Sequence, residues 1–353
     1  MRPRGHVALA TALLGPALLL AACGGGGGET TSGTTAAPRA GQPDVNGDGK
    51  VVIGVMSPGD TKDNGYYQSF VEQAEEVARS NGWEVRTVDR INPGDAVTQA
   101  RNLCRQRVDL IAIGASELKD ALSAAPEPQC KGVNWYVNGG TGVQQTEYFT
   151  QSQDKVNESL YAAGYAAGLL LEESGGGKAG YITGPELDFA KQAANAFTAG
   201  IRAVVPEAEV VTSYTGDFDD AAKAKEAFAQ QKAQDIKIVY PYLGGATDAV
   251  TAEANAAGIP ALTPGTDRCA DTSVKYAVSV IFSPGAYFAA ALEDFREGTL
   301  TMGTARVWRM GVDPVPTVKI CEPKGDQQAR LDKVMKDIGS GDLDVDAAVA
   351  AVG

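Results

Sequence analysis

Residues 60–69 read Asp-Thr-Lys-Asp-Asn-Gly-Tyr-Tyr-Gln-Ser and follow directly on an apolar run that starts at Lys50. Asp63, Asn64 and Gln68 offer hydrogen-bonding groups, and Tyr66 and Tyr67 offer two flat faces where a turn is expected. This set cannot supply a strong nucleophile, but it suits non-covalent capture of a ring. Stacking on an aromatic face is worth roughly 1–3 kcal/mol per base and tolerates many ring types. The rings either pack back onto the protein as loop anchors or wait for a flat ligand. Other polar and aromatic groups recur after apolar runs: Ser116; Asp188 and Phe189, with Glu186; Tyr242, Gly244 and Gly245, with Asp248; and Asp267 with Arg268. Each set follows the carboxyl end of a predicted strand, where ligands of open α/β sheets bind, so all are candidate ligand contacts.

Several chemistries are excluded. The only histidine is His6, in the N-terminal leader, which leaves no Ser-His-Asp or Cys-His arrangement and removes the commonest transition-metal ligand. Neither a dinucleotide-binding fingerprint nor a P-loop occurs, so no cofactor is expected. Asp44, Asn46, Asp48 and Gly49 imitate the start of an EF-hand loop, but Val55 stands where the bidentate Glu belongs, and no metal site is expected. Ser116-Glu117-Leu118-Lys119 matches SxxK without the accompanying SDN and KTG elements, so Ser116 reads first as an N-cap. The net charge of −13 lacks basic clusters and argues against nucleic acid.

The elements that must position these residues alternate short β-rich runs with longer helical ones. Strands are predicted at 50–56, in EVRTVDR, VDLIAIG and GVNWYVNGG, with helices at 67–82, in DAVTQARNLCRQR and in ELKDALSAA. A second series opens with the helix NESLYAAGYAAGLLLEESG and runs through KAGYITG, AEVVTSYTG, IKIVYPYLG and IPALTPG with helices between. The order predicts an α/β protein of two Rossmann-like lobes with parallel sheets, joined by hinge crossovers, with a ligand cleft between them. The expected boundaries are 50–153 plus 277–305 for lobe 1, 154–276 plus 306–325 for lobe 2, and a helical tail at 326–353.

Ahead of the lobes, Arg2 and Arg4 precede a short apolar stretch, and Leu20-Ala21-Ala22-Cys23 resembles the bacterial lipobox. The resemblance implies a signal peptide over 1–22, cleavage before Cys23 and lipidation of its thiol. Residues 23–49, rich in Gly, Ser, Thr and Ala after Cys23, read as a flexible tether. Cys104, Cys130, Cys269 and Cys321 remain, with three possible pairings; local pairing within the expected lobes gives Cys104–Cys130 and Cys269–Cys321.

Asp63-Asn64-Gly65-Tyr66-Tyr67-Gln68-Ser69, Asn157-Glu158-Ser159 with Ala162-Ala163-Gly164, Phe197-Thr198-Ala199-Gly200 before Pro206, Phe218-Asp219-Asp220 with Lys223 and Lys225, and Leu243-Gly244-Gly245-Ala246 share order and spacing with one family. Together they resemble the basic membrane protein family of substrate-binding lipoproteins of ABC importers, with a type I periplasmic-binding fold. The resemblance implies a non-enzymatic, lipid-anchored, extracytoplasmic monomer that binds a small molecule, a nucleoside in the best-understood members, and passes it to permease subunits. It also implies that Tyr66 or Tyr67 stacks on the ligand while Asp63 and Asn64 hydrogen-bond to it. This chain departs from the pattern at two ribose-holding positions: Gly265 stands where an Asp is expected and Phe282 where a Lys is expected. Asp267 with Arg268 is expected to take over, or the solute is not a nucleoside but, for example, a sugar. A receptor that reports ligand to a membrane sensor would share fold and anchor.

Overall fold

The computed structural model describes residues 43–63, 65–139 and 142–352. The leader, Cys23 and Asn64 therefore lie outside the described residues. None of the described helices is long and apolar enough to cross a membrane.

The first sheet has the order β11-β5-β4-β3-β1-β2, built from β1 (Val52–Met56), β2 (Glu84–Val88), β3 (Leu110–Ile113), β4 (Asn134–Asn138), β5 (Thr150–Asp154) and β11 (Ala305–Trp308). All its pairings are parallel, and β1 and β3 are buried along their whole length because helices cover both faces. Helix α1 (Tyr66–Asn81) buries Phe70, Val71, Ala74 and Ala78 on one side and stops at Gly82, whose φ of +68° turns the chain left-handed and sends its N–H to the Ala78 carbonyl. Phe70 stacks on Phe288 of α7 (Pro284–Glu297) at 4.5 Å between ring centres, which brings α7 onto this lobe. On the other side α2 (Ala96–Arg105) is tied by Cys104–Cys130 to the turn before β4.

The second lobe holds β7-β6-β8 in parallel, from β6 (Lys178–Thr183), β7 (Glu209–Tyr214) and β8 (Ile236–Tyr242). A bridge between Val239 and Ala261 links it to β9 (Leu262–Gly265), β10 (Val278–Ile281) and an antiparallel β12 (Thr317–Ile320). Helices α5 (Ala221–Lys232) and α6 (Thr247–Ala256) pack here, and Cys269–Cys321 ties the loop after β9 to the end of β12.

Helix α3 (Val156–Glu173) is apolar nearly all round, which a helix tolerates only when buried on all sides. It lies between α4 (Asp188–Arg202), α8 (Gln327–Ser340) and the second sheet. Its approach to α4 is backbone to backbone: a Cβ on Gly164 would lie 2.0 Å from the Phe197 carbonyl oxygen, and one on Gly200 would lie 2.0 Å from that of Tyr161. The glycines of two quoted motifs thus build the scaffold rather than the site. A last helix, α9 (Val345–Ala350), packs against α3 and α4.

Four features differ from the sequence reading. The polar run Thr150–Asp154, where no strand was expected, is an interior strand between β4 and β11, and its partners bury Thr150, Gln151 and Ser152. The segment after Ala115 is 3-10 rather than α-helical. β10 pairs with β9 and β12, and β11 with β5, so 278–281 lies in the second lobe and 306–308 in the first, each opposite to its expected side, while α7 lies in the first lobe and β12 in the second. Finally, residues 43–49 are not all tether: Asp109 Oδ1 accepts from the Val45 N–H and Asn46 Nδ2, and its Oδ2 accepts from the Val52 N–H at 2.7 Å, which clasps this stretch to the first sheet.

Candidate functional site

The turn after β1 is organised by Asp63. Its Oδ1 accepts from the backbone N–H of Gly65 at 2.9 Å and Gln68 at 3.0 Å, and its Oδ2 from Tyr67 at 3.1 Å, satisfying donors at the start of α1. Burial still pushes the Asp63 pKa up against these bonds. The cap aims Tyr66 inward, where its hydroxyl accepts from Asn138 Nδ2 at 2.6 Å. Tyr67 meets Tyr66 edge to face at 5.2 Å and lies on Gly59, where a Cβ would come within 2.3 Å of the ring.

These rings continue across to the other lobe. Tyr66 is 6.4 Å from Phe282, Phe282 is 6.1 Å from Tyr242 at the end of β8, and Tyr242 stacks on Tyr181 at 6.0 Å. Tyr66, Tyr67, Phe282 and Tyr242 wall a cavity of about 920 Å³ between the lobes, with Tyr181 buried behind Tyr242. All three crossings between lobes contribute to it: the stretch from β5 to α3 gives Asp154, Lys155 and Asn157, the one from β10 to α7 gives Phe282, and the one from β11 to β12 gives Arg309. The tail closes one side through Leu343, Val345 and Asp346, the last accepting from Asn157 at 3.5 Å.

Desolvation dominates the electrostatics. Burial raises Asp154 to about 6, and the nearby Glu158 adds to the rise. Glu117 lines the cleft with its side chain exposed there, and the protein packed around it raises its pKa too. Burial drives the hydroxyls of Tyr66, Tyr67 and Tyr242 upward, with the charge of Glu117 acting on all three and that of Asp154 on Tyr66 and Tyr242. The rings are therefore neutral at any ordinary pH.

Of the expected contacts, the structure brings Asp63, Tyr66, Tyr67, Ser116, Phe189, Tyr242 and Gly244 to this one cavity. Ser116 does so from the first position of its 3-10 turn; the residue in the cap position is Ala115, so the N-cap reading fails. Six expected contacts lie elsewhere among the described residues, two of them in ion pairs, Glu186 with Lys191 and Asp248 with Arg268. Gln68 turns along α1 and donates to Glu72. Asp188 is exposed in the first turn of α4. The Gly245 N–H is taken by Asp219 Oδ1 at 2.6 Å, an acceptor that also leaves no room for a side chain at Gly244, so two of the quoted motifs hold each other. Asp267 pairs with Lys319 at 2.8 Å in a smaller surface depression. Arg268 does line the cleft, but its guanidinium is engaged by Asp248, Asp271 and Tyr276, so the pair cannot replace the missing ribose contacts together. The sequence reading missed Asn138, Glu117, Asp154 and Thr247. Three of them carried a signal: Glu117 adjoins Ser116, Thr247 adjoins Asp248, and Asn138 comes at the end of a predicted strand.

Residues 50–336 match the family model described as "ABC transporter substrate-binding protein PnrA-like". The chain belongs to this family of substrate-binding proteins of ABC transporters. Among similar sequences, a nucleoside-binding protein of an ABC transporter, BmpA of Lactococcus lactis subsp. cremoris, is 32% identical over 147 residues, which cover 42% of this chain and 40% of the relative. A CD4+ T-cell-stimulating antigen of Listeria monocytogenes is 25% identical over 205 residues, 57% of this chain and 56% of the relative. The chain thus spans about half the length of the curated relatives it matches. An ABC transporter solute-binding protein from Conexibacter woesei DSM 14684 has the same fold, with a TM-score of 0.65, 22% identity, and coverage of 83% of this chain and 98% of the other. The fold is that of type I periplasmic binding proteins, and the family acts outside the cytoplasm.

Against the PnrA-like pattern, the two departures have local causes. Gly265 has a φ of +102°, a conformation in which a side chain is strained, and it packs on the backbone of Gly65 and Tyr66. Phe282 is buried among the cleft rings and packs between Tyr66 and Tyr242, a place that an aromatic side chain fills.

Proposed function

We propose that this protein is a lipid-anchored extracytoplasmic receptor of an ABC importer that captures a small, flat, nitrogen-containing ring, of the kind a nucleoside carries, between its two lobes and delivers it to the permease. One observation carries the reading: Tyr66 and Tyr67 from one lobe and Phe282 and Tyr242 from the other converge on a single cavity of about 920 Å³, the size of a small-molecule site. A ligand touching both lobes binds their closed arrangement better than the open one, which is the differential affinity a transport signal needs. The nucleoside class is favoured by the Lactococcus lactis relative named as a nucleoside-binding protein. The cleft residues need no turnover of the solute for this role. Lipidation at Cys23 rests on the sequence motif and supplies the membrane attachment.

Native mass spectrometry of the purified protein, followed by thermal-shift titration with nucleosides, free bases and sugars, tests this reading. A ring-bearing solute that copurifies or raises the melting temperature, with the response lost in Tyr242→Ala, supports it. Stabilisation by sugars alone, unaffected by Tyr242→Ala, would reject the ring as the recognised group.

A further inference from the structure

The charges around the cleft do not balance. Of the cations lining it, Arg268 is engaged by Asp248 and Asp271 and Lys155 pairs with Glu158 at 3.1 Å, while Arg309 donates to the Gly339 carbonyl at 2.8 Å. Neither Arg309 nor Lys119 has a carboxylate partner among the described residues. Carboxylates nevertheless outnumber cations around the cavity, six to four. Asp63 is occupied by three backbone N–H groups, and Asp344 caps α9 through the Ala347 N–H. Asp154 accepts from its own backbone N–H and from the Tyr287 hydroxyl at 3.4 Å, and neither it nor Glu117 makes an ion pair among the described residues.

Both carboxylates act on the same rings, Tyr66 and Tyr242, and no lysine or arginine is among the groups that set their ionisation. Of the helix starts at the cleft, that of α3 follows closely on Asp154 and carries Glu158 in its first turn, that of α1 is taken by Asp63, and Asp188 and Asp248 occupy the first turns of α4 and α6. A separate observation points to a missing partner. Thr247 lines the cavity, is 5% exposed, and its buried hydroxyl has no hydrogen-bond partner among the described residues.

We infer that the solute carries a positive charge: the cleft takes a ring-bearing organic cation, its ring against Tyr66, Phe282 and Tyr242 and its charged nitrogen toward Asp154 and Glu117. Asp154, half-buried, and Glu117, exposed to the cleft, are acceptor-only carboxylates with no ion-pair partner among the described residues, in a cavity where carboxylates outnumber cations, and a cation supplies that partner. Aromatic faces add attraction for a cation that a neutral ring of the same shape does not receive. An anionic solute is disfavoured by the same charges. This inference rests on the reading of the cleft as the solute site.

The test uses matched probes that differ in charge, tryptamine against tryptophol, with adenosine and inosine as neutral nucleosides, titrated by calorimetry into the full-length protein in non-ionic detergent. Tryptamine is expected to bind at least about tenfold tighter than tryptophol, with the preference lost in Glu117→Gln/Asp154→Asn and weakened by salt. Tyr242→Ala should weaken whichever probe binds. The probe comparison stands on the wild-type protein alone should the double variant fold poorly. Equal or tighter binding of tryptophol, adenosine or inosine, still lost in Tyr242→Ala, overturns the charge assignment and leaves the proposed function intact. Absence of any response that depends on Tyr242 overturns both.

Discussion

Asn138 donates its side-chain N–H to the Tyr66 hydroxyl at 2.6 Å, joining the carboxyl end of β4 to the first residue of α1. The candidate stacking ring is thus held in place before any ligand arrives. Asn138 is 2% exposed, so its N–H has no water to turn to if the hydroxyl is removed.

Tyr66→Phe should therefore cost about 1–3 kcal/mol of stability, the penalty for orphaning a buried donor, while solute affinity changes by less than about threefold because the face remains. Tyr66→Ala should cost affinity as well, by about tenfold or more on the stacking scale. Thermal melts and calorimetry with the solute found by screening separate the two effects. Equal affinity losses in both variants would mean that the hydroxyl, not the face, meets the ligand.

Gly164→Ala tests the α3–α4 contact. Alanine is favoured in a helix by about 1 kcal/mol, but its methyl would lie 2.0 Å from the Phe197 backbone oxygen, and overpacking costs typically about 1–3 kcal/mol. The obstacle is backbone and cannot rotate away, so a net loss of stability is expected in urea unfolding. A stabilised Gly164→Ala protein would show that the helices are further apart than described.

The scaffold was legible in the sequence because helical and strand periodicities report burial, and burial is what the two lobes share. β5 escaped because Thr150–Asp154 has no apolar pattern: an interior strand held on both edges by backbone hydrogen bonds needs none. Tyr66 and Tyr67 were legible as aromatics out of place. Asp154 and Glu117 were not, since an acidic residue looks the same in sequence whether it faces water or a cleft. Asp267 was misplaced because β9 ends at Gly265 and the following turn carries its carboxylate to Lys319, away from the cavity.

The two disulfides close separations of 26 and 52 residues. In the chain-entropy model a doubled loop is worth only about 0.6 kcal/mol more, so removing either bridge should cost a similar amount, about 2–4 kcal/mol. Cys104→Ala/Cys130→Ala is expected to lose somewhat more than entropy alone, since both cysteines are buried whereas Cys321 is half-exposed. Urea unfolding of the two double variants checks this. No loss for the shorter loop would mean that packing around Cys104 compensates for the missing link.

Asp154 gives the cleft a pH signature. Its pKa in the empty folded protein is about 6, above the ordinary 3.8, because burial penalises the charge and Glu158 adds to the penalty. Above about pH 6 the folded protein holds this carboxylate ionised at a cost; as pH falls through that value toward about 4, the folded state takes up a proton that the unfolded chain does not, and the cost disappears. Asp154→Asn should therefore stabilise the empty protein at about pH 7 by about 1–2 kcal/mol, on a scale of about 1.4 kcal/mol per pKa unit reduced for partial exposure, and change little below about pH 4. Urea melts of both proteins across this range measure the difference directly. A stability gap that stays constant with pH would show that Asp154 is ionised without penalty, with a counter-charge or water supplied by the protein itself, and would remove the reason for a cation to bind beside it.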